Sequence, residues 1–102
     1  MRIMSKGGFT FIMTNKNNTT LYVGVTSDIQ SRVKEHKEKM YSKSFTARYN
    51  LDQLVYFEFH ELIENAIERE KQLKAGSRKK KIELIDSINQ GWRDLFDDIK
   101  DW

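Results

Sequence analysis

Two β-prone runs, FTFIMT (9–14) and TTLYVGV (19–25), are separated by only the four residues NKNN (15–18). So short a connection predicts an antiparallel hairpin, and its asparagines tolerate the backbone conformations that tight turns demand. A third run, LVYFEFH (54–60), completes a set of three strands. Between and after the strands the pattern turns helical. Ser27 or Asp28 is placed to cap a helix through about Met40, with Ile29, Val33, His36 and Met40 on one inward stripe and Arg32 on its flank. Lys34, Glu35, Lys37 and Glu38 fall on the solvent side.

The stretch YSKSFTARYN (41–50) reads as a short helix or ordered loop. ELIENAIEREKQLKAG (61–76) reads as a second long helix ended by Gly76, and SRKKKIELIDSIN (77–89) as a third capped by Ser77. WRDLF (92–96) is expected to close the core with Trp92, Leu95 and Phe96. The pattern is therefore a hairpin, a third strand and several helices. At 102 residues the chain has room for one domain, expected over 8–98 with tails at 1–7 and 99–102.

Without cysteine, disulfides and thiolate metal sites are excluded. No apolar run reaches the roughly 18 residues a membrane helix needs, and the opening MRIMSKGG lacks the pattern of a secretory signal. Both fit a cytoplasmic protein that has no membrane partner. The net charge of +3 is unevenly spread, with nine Lys/Arg against three acids over 1–51 but two against six over 83–102. A basic front half suits a polyanionic partner meeting one side of the molecule.

Certain residues sit where packing alone does not want them. Glu70 falls inside the apolar arc of the second long helix, with Ala66, Leu62, Ile63, Ile67 and Leu73. A carboxylate there needs a cation, a donor cluster or a metal. One reading is a structural ion pair with Arg32 or a lysine stem. The other is a metal ligand, and a single carboxylate suits magnesium, which keeps waters and takes further oxygens from phosphates. On the second strand Tyr22 and Gly24 share a face, and Gly24 leaves a bare patch for a ligand or another backbone. A phenol, an arginine, a histidine and a carboxylate suit phosphodiester cleavage, in which a cation and a guanidinium neutralise the phosphate while a base deprotonates water.

FTFIMTN, LYVGVTS, Arg32, His36 and AIEREKQLK (66–74) together resemble a GIY-YIG nuclease domain, and more narrowly its small stand-alone bacterial branch. The likeness runs over about 8–96. It implies an α+β fold, a three-stranded antiparallel sheet flanked by helices, and cleavage of nucleic-acid phosphodiesters with one divalent ion, Mg2+ or Mn2+. It casts Tyr22 as general base or nucleophile positioner, Arg32 as the phosphate-binding residue and Glu70 as the metal ligand. His36 matches a position near the nucleophile. Gly24 belongs to the second motif, and Thr26 and Asn89 fill supporting positions. The chain departs from the pattern at Phe11, where the first motif has tyrosine, so the ring is kept and its hydroxyl lost. Val25 stands where some relatives carry lysine.

Basic residues outside that set are candidates for phosphate contact: Lys43, Arg48, Lys74, Arg78, Lys79 and Lys80. The bland reading of SRKKK is a solvated helix start. Tyr41, Phe45 and Tyr49, four apart with basic residues interleaved, read first as a packing stripe and second as a base-stacking surface. His60 has no evident partner. The leading expectation is a metal-dependent DNA endonuclease acting in repair, recombination or processing, with branched or damaged DNA as partner and a weak homodimer as a further expectation. Its rival is a non-catalytic nucleic-acid-binding module that kept the fold after losing the Phe11 hydroxyl. A third reading is an interaction adaptor using the acidic C-terminus.

Overall fold

The computed structural model describes residues 7–102. In chain order the elements are β1 (Gly8–Thr14), β2 (Leu21–Thr26), α1 (Ile29–Lys37), α2 (Phe45–Arg48), β3 (Gln53–His60), α3 (Ile63–Ala75), α4 (Arg78–Ile88) and α5 (Phe96–Ile99). The strands form one antiparallel sheet in the order β2-β1-β3. The most apolar run, β1, takes the centre and is buried along almost its whole length. The hairpin turn is built by asparagine, as expected. Asn15 Oδ1 accepts from the backbone N–H groups of Thr19 and Thr20, at 2.8 and 3.1 Å, and Asn18 adopts a φ of 57°.

Alternation along the strands sends side chains to two layers. Phe11 and Met13 meet Ile29, Val33, Leu51, Leu54, Leu95 and Ile99 on one face, under α1 and α5. Ile12 and Val23 meet Val55, Tyr56, Leu73 and Ile85 on the other, under α3 and α4. Val55 and Tyr56 are consecutive yet reach the same cluster, because the β1–β3 register shifts between Ile12 and Met13.

Local caps fix where the helices start. Asp28 accepts from Ser31 N at 3.2 Å and Ser77 from Lys80 N at 3.1 Å. Gly76 closes α3 by donating to the carbonyls of Gln72 and Leu73. Polar ties then lock the layers. Lys37 Nζ pairs with Asp94 and donates to the Asp52 carbonyl at 2.8 Å, while Asp94 Oδ1 accepts from Leu54 N and Phe96 N. Glu58 on β3 accepts from Tyr56, from His60 Nε2 at 2.9 Å and from Arg69 Nε of α3 at 2.8 Å.

Four expectations need correction. Residues 99–102 are part of the fold: Ile99 is fully buried, the Trp102 ring packs on Phe9 and Phe57, and Gln30 Nε2 donates to the carbonyls of Ile99, Lys100 and Trp102. Of the expected N-terminal tail, 1–6 lie outside the described residues. Helix α1 ends at Lys37 because Lys39 turns left-handed at φ 52°, so Met40 leaves the inward stripe and is exposed. Tyr41, Phe45 and Tyr49 are exposed too, since α2 is a single turn that buries the small Thr46 and Ala47 instead. In α3, Ala66 and Leu73 are the buried residues, and Leu62 and Ile67 lie outside the core.

Candidate active site

Tyr22 stands on the edge strand β2, on the face shared with Gly24, and its ring is a meeting point for three elements. From α1, the His36 ring lies edge-on to it at 5.6 Å between centroids. From α2, Phe45 stacks against it at 6.4 Å and 30°. From α3, Lys74 Nζ sits 6.0 Å from its centroid. Lys74 in turn holds Glu70 Oε2 at 3.2 Å, one helical turn earlier. The phenol therefore touches both the imidazole and the ammonium of the carboxylate–ammonium pair.

Glu70 is enclosed, with 17% of its side chain exposed. Its partner is Lys74 rather than Arg32, and among the described residues nothing donates to its second oxygen. Arg32 pairs with Glu35 at 2.9 Å and lies 5.8 Å over the Tyr41 ring, on the flank of α1. Both ion pairs are half-open to water, where such pairs contribute about 0–1 kcal/mol.

His36 is the enclosed group of the set. Its Nδ1 is 2.8 Å from Thr46 Oγ1, which is in turn 3.2 Å from Ser44 Oγ, the cap of α2. Its Nε2 is buried and has no partner among the described residues. Burial, reinforced by the Arg32 charge, pushes its pKa down to about 4, so the ring is neutral at pH 7. A buried nitrogen left bare costs about 1–3 kcal/mol, a cost a fold tolerates where the atom has a partner to come. Thr46 escaped sequence reasoning. Its signal was its place beside a Ser cap, between aromatics that turn outward.

Phe11 occupies the centre of β1, fully buried, with its ring 6.0 Å from His36 and 6.4 Å from Tyr22. It crosses directly over Gly24. A Cβ on Gly24 would come within 2.5 Å of the Phe11 ring, so this glycine makes room for a neighbouring side chain of the protein itself. Thr26 Oγ1 accepts from Asp28 N at 3.0 Å and shapes the turn into α1. Asn89 is bound entirely to backbone: its amide donates to the carbonyls of Val55 and Arg93, and its oxygen accepts from Arg93 N. It ties α4 to β3 and touches none of Tyr22, Arg32, His36 or Glu70.

Among the other cations, Lys43, Arg48, Lys79 and Lys80 are exposed, and Arg78 donates to the Asn18 carbonyl of the hairpin turn at 3.2 Å. His60 is engaged with Glu58. A cavity of about 440 Å³ between α3 and α4, lined by Arg69, Leu73, Lys80 and Leu84, lies on a different side of α3 from Glu70. No described cluster of three or more His, Asp or Glu forms a metal cage. The donor set that fits a cation is Glu70, a hard oxygen ligand with one free oxygen, and it fits an ion that completes its shell with water and phosphate.

The fold is a three-stranded α+β domain that brings a phenol, an imidazole and a lysine-paired carboxylate together beside β2, with Arg32 on the flank of α1, and its class is that of a nuclease-like domain, as the match to a family profile shows. Residues 7–83 match the family profile of the GIY-YIG catalytic domain, and the chain belongs to that family. Its relatives include a UPF0213 protein of Syntrophus aciditrophicus, 33% identical over 69 residues, covering 68% of this chain and 79% of the relative. A UPF0213 protein of Haloquadratum walsbyi is 35% identical over 77 residues, covering 72% and 85%. The solution structure of a UPF0213 protein from Bacillus halodurans superposes with a TM-score of 0.51 at 27% identity, covering 83% of this chain and 87% of that one. GIY-YIG nuclease domains generally use divalent metals. No described helix is long and apolar enough to cross a membrane.

Proposed function

We propose that the chain is a divalent-metal-dependent DNA endonuclease whose site is the cluster around Tyr22. The observation that carries this reading is the single phenol in contact with both the His36 imidazole and the Lys74 side chain that holds Glu70. A structural ion pair alone would not explain why a neutral histidine with a bare nitrogen also packs against the phenol.

In this mechanism Arg32 leaves Glu35 for the non-bridging oxygens of the scissile phosphate, where its charge counts for more in a water-poor site. Tyr22 orients the attacking water. His36, with Nδ1–H donating to Thr46, takes the water's proton on Nε2 as the new P–O bond forms. The P–O bond to the leaving oxygen breaks, and that oxygen is protonated from solvent. Glu70 would hold a single Mg2+ or Mn2+, and when bound that ion would supply neutralisation of the phosphate charge. Lys74 positions the Glu70 carboxylate through their ion pair and, with Arg78, Lys79 and Lys80, offers contacts to the phosphates of the strand.

The Phe11 ring favours a second reading, a nucleic-acid-binding module without catalysis, because the first-motif hydroxyl is missing. Incubating plasmid, linear and branched DNA with Mg2+ or Mn2+ separates the two. The nuclease reading expects metal-dependent nicking that disappears in Glu70→Ala. The binding reading expects salt-sensitive DNA retention that survives Glu70→Ala, with no cleavage under either metal.

A further inference from the structure

The segment between α1 and β3 presents its aromatic rings to water. Tyr41 is 55% exposed, Phe45 49% and Tyr49 48%, while the smaller Thr46 and Ala47 are the buried members of α2. Clustered exposed apolar surface of this kind marks a place where something binds. The rings are held rather than loose. Ser44 caps α2, Thr46 is bonded to His36, Leu51 is fully buried, and Phe45 lies 4.7 Å from Tyr49.

Charge and position say what the occupant is. From Lys39 to Leu51 there is no carboxylate, and Lys39, Lys43 and Arg48 stand among the rings. The surface runs straight into the candidate site, since Phe45 stacks on Tyr22 and the Arg32 guanidinium lies over Tyr41. Rings interleaved with cations suit a polyanion that carries flat apolar faces. In a duplex those faces are already covered by neighbouring base pairs.

We propose that Tyr41, Phe45 and Tyr49 form a stacking shelf for the unpaired bases of a DNA strand whose phosphates follow Lys43, Arg48 and Arg32 toward Tyr22. The inference rests on the DNA reading above and narrows its substrate to DNA with a single-stranded segment. Each base stacked is expected to strengthen binding by about 5- to 140-fold.

The test is equilibrium binding in EDTA, so that cleavage plays no part. Fluorescein-labelled oligothymidylate of about a dozen nucleotides is compared with an abasic strand of equal length, a duplex and oligouridylate. The expected result is binding of oligothymidylate at least about tenfold tighter than of the abasic strand and the duplex. The double variant Tyr41→Ala/Tyr49→Ala, which leaves Phe45 against Tyr22, is expected to lose that preference. Tyr41→Phe/Tyr49→Phe is expected to keep it.

Equal affinity for the thymidylate and abasic strands overturns the shelf, as does duplex binding equal to oligothymidylate or an unaltered preference in the alanine variant. Tighter binding of oligouridylate overturns its assignment to DNA. A dimer in sedimentation that the alanine variant dissolves, with base preference untouched, assigns the surface to a second copy instead. Base preference in EDTA without cleavage in Mg2+ sinks the nuclease reading alone, whereas cleavage without base preference sinks the shelf alone.

Discussion

Along β3, Glu58 collects hydrogen bonds from Tyr56, His60 and Arg69, whereas beside β2 the polar groups are left short of partners. His36 Nε2 has none among the described residues, and Glu70 has a single lysine. Both edges bring charge close to a sheet, but they resolve it in opposite ways. At Glu58, burial pushes the carboxyl up and the three donors together outweigh it, holding it below the usual range; burial then raises Tyr56 to about 12. At His36, burial removes the charge altogether. One edge spends its hydrogen bonds on joining β3 to α3. The other leaves a neutral imidazole, a phenol and a carboxylate outside any such network.

Replacing a group on each edge should separate those roles. Tyr22→Phe keeps the ring packing and removes the hydroxyl, so cleavage should fall on the order of a hundredfold while thermal unfolding stays close to wild type. Glu58→Gln should do the reverse. It weakens a partly enclosed charged network and should cost about 1–3 kcal/mol in urea unfolding, with cleavage per folded molecule little altered. A Glu58→Gln protein that is stable but inactive would erase the distinction between the edges.

Acid should strain both. Unfolded His36 binds a proton near pH 6.5, whereas the folded ring resists until about pH 4. The unfolded state therefore holds more protons in that window, and stability drops as pH falls through it, by about 1–3 kcal/mol. Glu58 adds a loss at still lower pH, because its depressed pKa gives stability that disappears as the carboxylate is protonated. His36→Phe should flatten the upper part of the profile in unfolding curves taken between pH 7 and 4. The smallest effect is expected at Thr46→Val, which takes away the hydroxyl that fixes His36 Nδ1. Cleavage should slow about five- to tenfold, with Thr46→Ser restoring most of the rate. An unchanged rate would leave Thr46 a packing residue.

Much of this was legible because it is local. Alternation placed Tyr22 beside Gly24 on one face, Asp28 and Ser77 cap their helices, Gly76 ends α3, and helical spacing turned His36 inward. What escaped depends on contacts across the chain or on backbone that side chains disfavour. Lys39 adopts a left-handed conformation at a cost of about 1–2 kcal/mol with no glycine to announce it, so α1 stops early and Met40 swings out. Tyr41, Phe45 and Tyr49 have the spacing of a core stripe, but a one-turn helix has too little length to bury it. Ile99 and Trp102 come from a stretch with no periodicity, and only the sheet above them gives them a place. Glu70 was visible as a misplaced carboxylate, yet its partner was not, because Lys74 and Arg32 were both within reach of the pattern.

The central claim is that Glu70 serves a ligand rather than the fold. Single-turnover cleavage of DNA in Mg2+ by wild type and Glu70→Ala, each shown to melt alike, tests it most directly. The half-open Glu70–Lys74 pair predicts a stability change of no more than about 1 kcal/mol, and the metal role predicts a rate loss of at least about a hundredfold. Equal cleavage by the two proteins would contradict the account.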